Sequence, residues 1–377
     1  MAIPAPVPAG LPLQDITVED IPLHYLDDAN DFSSFVSACS DDFDVAIVGI
    51  PSSWGTQKYN PFSAAAPDGV RKYLYRLCGD FHNVKIADLG DINVKNDQSP
   101  MAAVADVVSI LVEAGKKVVI IGGGDYCNLP IVKGMSQSIG KINIVKVDSL
   151  LTLSGVDELE KSGGVLSAFD EIEKIKQVDC IDVLGYQTYL SSEDKISRAD
   201  DQRICFTRLA EVQDNVQNIE PLLRDNDLFS ISARAIRNSD MPSCVAMPNG
   251  LYGEEACHLA KLAGLSDRAT VFYISDVYAQ NESSLALSAQ IVWHYLHGVD
   301  HRYNDYPVND INNYRKLIVF DSRTNTEVKF YSNPLNGRWW VEIPGRDGNR
   351  IVSCKESDYL ALTNREVPEI WFRHYMR

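Results

Sequence analysis

The chain has 377 residues, 45% hydrophobic and 23% charged, enough for a large buried core in one or two domains. Its 35 Lys and Arg against 52 Asp and Glu leave a net charge of -17, which excludes the basic footprint of a nucleic-acid binder and disfavours an anionic membrane surface. No apolar run reaches the ~20 residues of a membrane helix. Eight cysteines (39, 78, 127, 180, 205, 244, 257 and 354) without a CxxC pair predict buried reduced thiols in a cytoplasmic protein, with neither a disulfide framework nor a zinc site.

Residues 1–40 read as an N-terminal extension. Residues 1–10 are rich in Pro and Ala and lack a basic segment followed by an apolar stretch, so a secretory signal is not expected. Short apolar runs at 43–50, 117–121, 142–147, 227–233 and 270–274 predict strands covered on both faces. Between them, residues 99–114 place Val104, Val107, Val108, Leu111 and Val112 at helical spacing, and Gly115 ends that helix. Further helices are expected over 254–263 and 282–296. This alternation predicts a three-layer α/β domain over 41–300 around a mostly parallel sheet. Ligands in such folds gather beyond the carboxyl ends of the strands.

Residues 301–377 differ in character. They carry 12 Lys/Arg and 10 Asp/Glu, a net of +2, so residues 1–300 hold 23 − 42 = -19. They also hold 12 of the 34 aromatics, among them Trp339, Trp340 and Trp371. Antiparallel strands are expected at 316–321, 327–331 and 338–343, joined by polar turns such as 333–337. The tail therefore reads as a β-rich extension whose aromatics pack it onto the main domain.

The strand ends carry the candidate chemistry. Gly122-Gly123-Gly124-Asp125-Tyr126-Cys127 follows one strand, but with neither GxGxxG nor Lys-Ser/Thr it is a weak phosphate loop. Asp148-Ser149-Leu150-Leu151-Thr152 follows the next, and Ser230-Ile231-Ser232-Ala233-Arg234 the one after. Asp125 alone reads as a turn residue, and Arg234 with Arg237 as solvated or salt-bridged arginines. His294 and His297, three apart beside Trp293, read as packed or surface side chains. No Ser is framed as GxSxG and no Cys–His pairing is visible.

In this order the segments resemble the ureohydrolases, the arginase, agmatinase and formimidoylglutamase superfamily. Pro51-Ser52-Ser53-Trp54-Gly55 and Ala66-Pro67-Asp68-Gly69-Val70-Arg71 are similar to the family's opening loop and its Gly-Pro-x-x-hydrophobic-Arg helix start. Gly123-Gly124-Asp125-Tyr126 resembles its Gly-Gly-Asp-His motif, and residues 148–152 and 230–234 stand at its Asp-x-His-x-Asp and Ser-hydrophobic-Asp-x-Asp motifs. Residues 184–188 resemble a further strand end. The match covers roughly residues 40–300, and Asp305-Tyr306-Pro307 with Arg338-Trp339-Trp340 is similar to an extension in a formimidoylglutamase-like branch. The resemblance implies an arginase-like αβα fold and, by analogy, a homo-oligomer.

The resemblance also implies two manganese ions, held by two His and four Asp, whose bridging hydroxide attacks an amidine or guanidinium carbon. Hard, closely spaced cations need such anionic ligands. Here Tyr126 replaces the first His, Asp148 is kept, Leu150 and Thr152 replace His and Asp, and Ser232 and Arg234 replace the last two Asp. One of six ligand positions survives, and none of the seven histidines (24, 82, 258, 294, 297, 301, 374) falls in a motif. Asp276 stands where the family has an acid facing the substrate's cationic group.

The expected reading is a relative without a metal or other cofactor and with no assigned catalytic residue, its pocket closed or holding a small molecule. Asp125, Tyr126, Asp148, Leu150, Thr152, Ser232, Arg234 and Asp276 make up that degenerate pocket. Arg234 should point into it, toward Asp148 first and Asp125 or Asp276 next. The alternative is an active hydrolase of linear amidine or guanidine C–N bonds, working from Asp148, Asp125 or Asp276. Neither nucleic acid nor membrane is expected as a partner.

Overall fold

A computed structural model describes residues 13–14, 36–38, 42–56, 60–79, 81–92, 99–150, 169–191, 204–243, 247–307, 311–321, 323, 325–345, 348–368 and 370–371. Among the described residues, ten strands form the main sheet: β1 (Leu13–Gln14), β2 (Val36–Ala38), β3 (Val45–Ile50), β4 (Ile86–Ile92), β5 (Lys117–Gly122), β6 (Ile142–Val147), β7 (Val178–Tyr186), β8 (Ile204–Arg208), β9 (Leu228–Ser232) and β10 (Val271–Ser275). Their order is β1-β4-β3-β5-β10-β9-β6-β7-β8, with β2 also paired to β4. Every pairing is parallel except β1 with β4. Thus β1 and β2, within the expected N-terminal extension, join the main sheet.

Alternation along the strands builds two cores. Val45, Ile47, Val119, Ile121, Phe229, Ile231, Phe272 and Ile274 face one way, against helices Ala66–Leu74, Gly253–Gly264 and Glu282–Asp300. Ala46, Val48, Val118, Ile120, Ile144, Ile181 and Val183 face the other, against helices Met101–Glu113 and Asn128–Met135. With both faces covered, the strands are continuously apolar, the pattern by which five of them are recognisable in the sequence.

β4 is not, because Asp88 and Asp91 interrupt it. Both acids bind Arg71: Nε lies 2.8 Å from Asp88 and Nη1 2.5 Å from Asp91. Tyr75 donates a further hydrogen bond to Asp88. The arginine of the family-like helix start is thus a buried tie between helix Ala66–Leu74 and β4.

The tail forms a separate antiparallel sheet, β11 (Arg315–Asp321), β12 (Thr326–Ser332), β13 (Trp339–Gly345) and β14 (Gly348–Cys354), followed by helix Glu356–Thr363. The last strand and this helix go beyond the three strands expected. Trp340 and Trp371 are buried, and the Arg224 guanidinium lies 4.6 Å from the Trp340 ring centroid. Arg224 also donates to the Trp339 carbonyl at 2.9 Å, while Asp225 accepts from the Ser353 amide and hydroxyl, each at 2.7 Å. No helix among the described residues is long and apolar enough to cross a membrane.

Candidate functional site

The strand ends converge as parallel topology requires: β5, β6, β9 and β10 lie side by side, with Asp125, Asp148, Arg234 and Asp276 following them. The glycine run before Asp125 serves the turn. Gly122 (φ 96°) and Gly123 (φ 68°) sit in the left-handed region, and a Cβ on Gly122 would come 2.8 Å from Pro67 Cγ. Asp125 then opens a single 3-10 turn, Asp125–Cys127, leading into helix Asn128–Met135.

Five charged side chains, none more than 3% exposed, meet there. Arg234 Nη2 lies 2.9 Å from Asp148 Oδ2, 3.5 Å from Asp125 Oδ2 and 3.7 Å from Asp276 Oδ2. Lys146 Nζ lies 2.6 Å from Asp125 Oδ2 and 3.0 Å from Asp148 Oδ2. Hydrogen bonds complete the group. Asn128 donates to Asp125 (2.8 Å), the Leu150 amide to Asp148 (3.2 Å), and Ser232 and Ser275 to Asp276 (2.8 and 2.9 Å). Arg234 Nε donates to the Ser232 hydroxyl at 3.1 Å. Asp276 is held at φ 60°, which Asp tolerates better than most residues, with its amide donating to the Gly123 carbonyl at 3.0 Å.

Burial opposes ionisation of Asp148, but Arg234 and Lys146 outweigh it and hold its carboxyl below the usual range. Asp125 moves the other way: burial raises it, and the neighbouring Asp148 and Asp276 add to that against the pull of Lys146 and Arg234. Of Asp125 and Asp148, Asp125 is thus the one that holds a proton more readily. Cys127 is no nucleophile here, since burial pushes its thiol up to about 12.

Tyr126 is fully buried, packed edge-on against Trp54 at 4.9 Å. Leu150 is half-buried, and Thr152 lies outside the described residues. Lys146 is absent from the set read in the sequence. It hides inside an apolar strand, yet a lysine two residues before Asp148 must share that residue's side of the strand, and this was the available signal. His294 and His297 pack against rings as expected: Trp293 is edge-on to His294 at 5.1 Å and stacks on His297 at 4.9 Å, and His297 stacks on His301 at 4.2 Å.

Beside the cluster, at the same sheet edge, lies an open cavity of about 370 Å3. Tyr186, Gln187, Arg208, Arg237, Asn249 and Tyr252 are among its walls, with the Arg237 guanidinium 3.7 Å from the Tyr252 ring centroid.

Residues 43–249, more than half of the chain, match the family model described as the arginase family. The chain belongs to the arginase family. Agmatinases of Bacillus anthracis and Bacillus cereus are each 30% identical to it, over 115 and 114 residues. Those matches cover 28% of this arginase-family chain and 39% of each relative, so the chain spans well under half the length of the curated relatives it matches. Among solved structures, the formiminoglutamase of Trypanosoma cruzi with Mn2+ is 21% identical, with a TM-score of 0.64 over 72% of this chain and 99% of that one. The formimidoylglutamase of Bacillus subtilis is 15% identical (TM-score 0.67; 76% and 97%). The proclavaminate amidino hydrolase of Streptomyces clavuligerus is 17% identical (TM-score 0.59; 72% and 97%). At these identities the likeness is one of fold, and the ureohydrolase fold read from the sequence is the one present.

Proposed function

We propose that this arginase-family chain does not carry out the metal-dependent hydrolysis of its superfamily, and that side-chain cations stand in its strand-end pocket in place of a manganese pair. One observation carries the reading: Arg234 Nη2 and Lys146 Nζ lie within 2.9 and 3.0 Å of the same oxygen, Asp148 Oδ2. A carboxylate oxygen so engaged faces two positive charges already, and a divalent ion approaching it would meet both. The donor set argues the same way. The pocket offers three carboxylates and hydroxyls but no imidazole, and hard-cation sites need several anionic ligands left uncompensated. The residues present do not fit the metal pair.

The chain then acts as a non-catalytic relative, in which the superfamily scaffold is kept and any small ligand binds without metal. The open cavity beside the cluster, walled by Arg208, Arg237 and Gln187, suits such a ligand better than the sealed cluster does. A cytoplasmic location and self-assembly are part of this proposal, by analogy with the superfamily and from the reduced cysteines.

The test is protein purified with added manganese, dialysed, and assayed with arginine, agmatine and formimidoylglutamate. The expected result is no retained manganese above the buffer and no metal-dependent release of urea or formamide. Manganese-stimulated release that Asp148→Ala abolishes would replace this reading with that of an active amidine or guanidine hydrolase.

A further inference from the structure

At the opposite end of the main sheet, β7 and its edge neighbour β8 bring together two thiols and a carboxylate. Cys180 and Asp182 are two apart on β7 and so share one face, opposite Ile181 and Val183. Cys205 is the register partner of Asp182 across the strand pair, which puts its side chain on that same face. One ligand atom from each of the three lies within 4.8 Å of the others, and neither cysteine is in a disulfide. Asp182 and Cys205 are buried, and Cys180 is partly so.

The spacing is that of a coordination polyhedron. Zinc–sulfur bonds of about 2.3 Å and zinc–oxygen bonds of about 2.1 Å at a tetrahedral angle make an S···O edge of about 3.6 Å and an S···S edge of about 3.8 Å. Cys180 Sγ lies 3.6 Å from Asp182 Oδ2. The Cys205 Sγ lies within 4.8 Å of both. Both Cys180 and Asp182 line a cavity of about 420 Å3 under the tail sheet, bounded on its far side by Tyr306, Arg350 and Ser353. That cavity has room for a water as fourth ligand. Arg350 pairs with Asp179 and Arg268 with Asp227 on its walls.

We propose that Cys180, Asp182 and Cys205 form a site for one thiophilic divalent cation of the zinc type, tying the edge strand β8 to β7 beneath the tail. Two thiolates select such an ion over manganese or magnesium, which prefer oxygen. The proposal departs from the expectation of no zinc site. That expectation rested on the missing CxxC pair, whereas here the ligands come from an i, i+2 pair on one strand and a third residue on the next. The proposal is independent of the reading of the strand-end pocket.

Cobalt serves as the probe, because thiolate ligands produce an intense near-ultraviolet charge-transfer band when it binds. The full chain, reduced and stripped of metal, should take up one cobalt per chain with that band, and zinc should displace it. Cys180→Ser and Cys205→Ser should each lose the band, and Asp182→Asn should weaken binding at least roughly tenfold, the scale known even for outer partners of metal ligands. Cys257→Ser, distant in the fold, should keep both band and stoichiometry. Far-ultraviolet circular dichroism checks that each variant is folded. Absence of the band in the parent chain, or its persistence in both cysteine variants, would overturn the proposal and leave the 3.6 Å contact as a thiol donating to a carboxylate.

Discussion

The two ends of the main sheet hold polar clusters of opposite design. At the carboxyl ends, Asp125, Asp148 and Asp276 meet Lys146 and Arg234, so the acids are compensated by cations of the chain itself. At the amino ends of β7 and β8, Cys180, Asp182 and Cys205 bring two thiols and a carboxylate within 4.8 Å of one another, beside a cavity whose walls also carry Lys141, Arg268 and Arg350. On the two proposals, the first arrangement excludes a metal ion and the second receives one. A superfamily scaffold thus teaches little about where an ion sits until the charge of each cluster is counted.

The largest expected effect comes from breaking the first cluster. Arg234→Ala leaves three buried carboxyls with Lys146 as the one remaining cation of the group and should cost ~3–5 kcal/mol of stability, the scale of breaking a buried ion pair. Combining it with Asp148→Ala should recover part of that loss, and chemical denaturation of both single variants and the double variant measures the coupling. Additive losses would show that the two side chains do not depend on each other.

Lys146→Met should cost less, about 1–3 kcal/mol, because the carboxyl it leaves behind most exposed to loss is Asp125, which already tends to hold a proton. Adding Asp125→Asn should restore stability in the same denaturation experiment. A loss as large as that of Arg234→Ala would mean that both cations are equally indispensable.

Acid sharpens the contrast between the two carboxyls. The folded pKa of Asp148 lies below its unfolded value of about 3.9, so its contribution is complete above that value and is lost as pH falls through the folded pKa. Asp125 has the reverse sign, since its raised folded pKa favours the native state most at low pH and less as pH rises through it. Asp148→Asn should therefore flatten the acid limb of the stability profile, and Asp125→Asn the limb above it. Stability measured at intervals from about pH 3 to about pH 8 distinguishes the two, at up to ~1.4 kcal/mol per unit of pKa shift.

The smallest effect is expected at the wall of the second cluster's cavity. Arg350 and Asp179 form an ion pair in which both side chains are more than a quarter exposed. Arg350→Ala should change stability by only ~0.2–1 kcal/mol and should do so less at high salt. A larger loss in a thermal melt would show that this pair anchors the tail sheet.

The parallel sheet is readable in the sequence for a simple reason: strands covered on both faces are mostly apolar, and residues after parallel strands meet at one edge. Tyr126, Ser232 and Arg234 are placed in the pocket by the resemblance to the family's motifs, since the residues alone read Arg234 as a solvated or salt-bridged arginine. β4 escaped because Asp88 and Asp91 break its apolar run, and only the structure shows Arg71 compensating them. Lys146 escaped for the converse reason, a single charge absorbed in a strand that reads as apolar. The thiol cluster is hidden by distance in sequence, since the register of β7 against β8 decides that Cys205 pairs with Asp182.

Crystals grown in excess manganese, with an anomalous difference map recorded for that element, test the central claim most directly. The account predicts no peak between Asp125, Asp148 and Asp276, with Arg234 Nη2 and Lys146 Nζ both still on Asp148 Oδ2. An anomalous peak coordinated by those carboxylates, with the Arg234 guanidinium turned away, would contradict it.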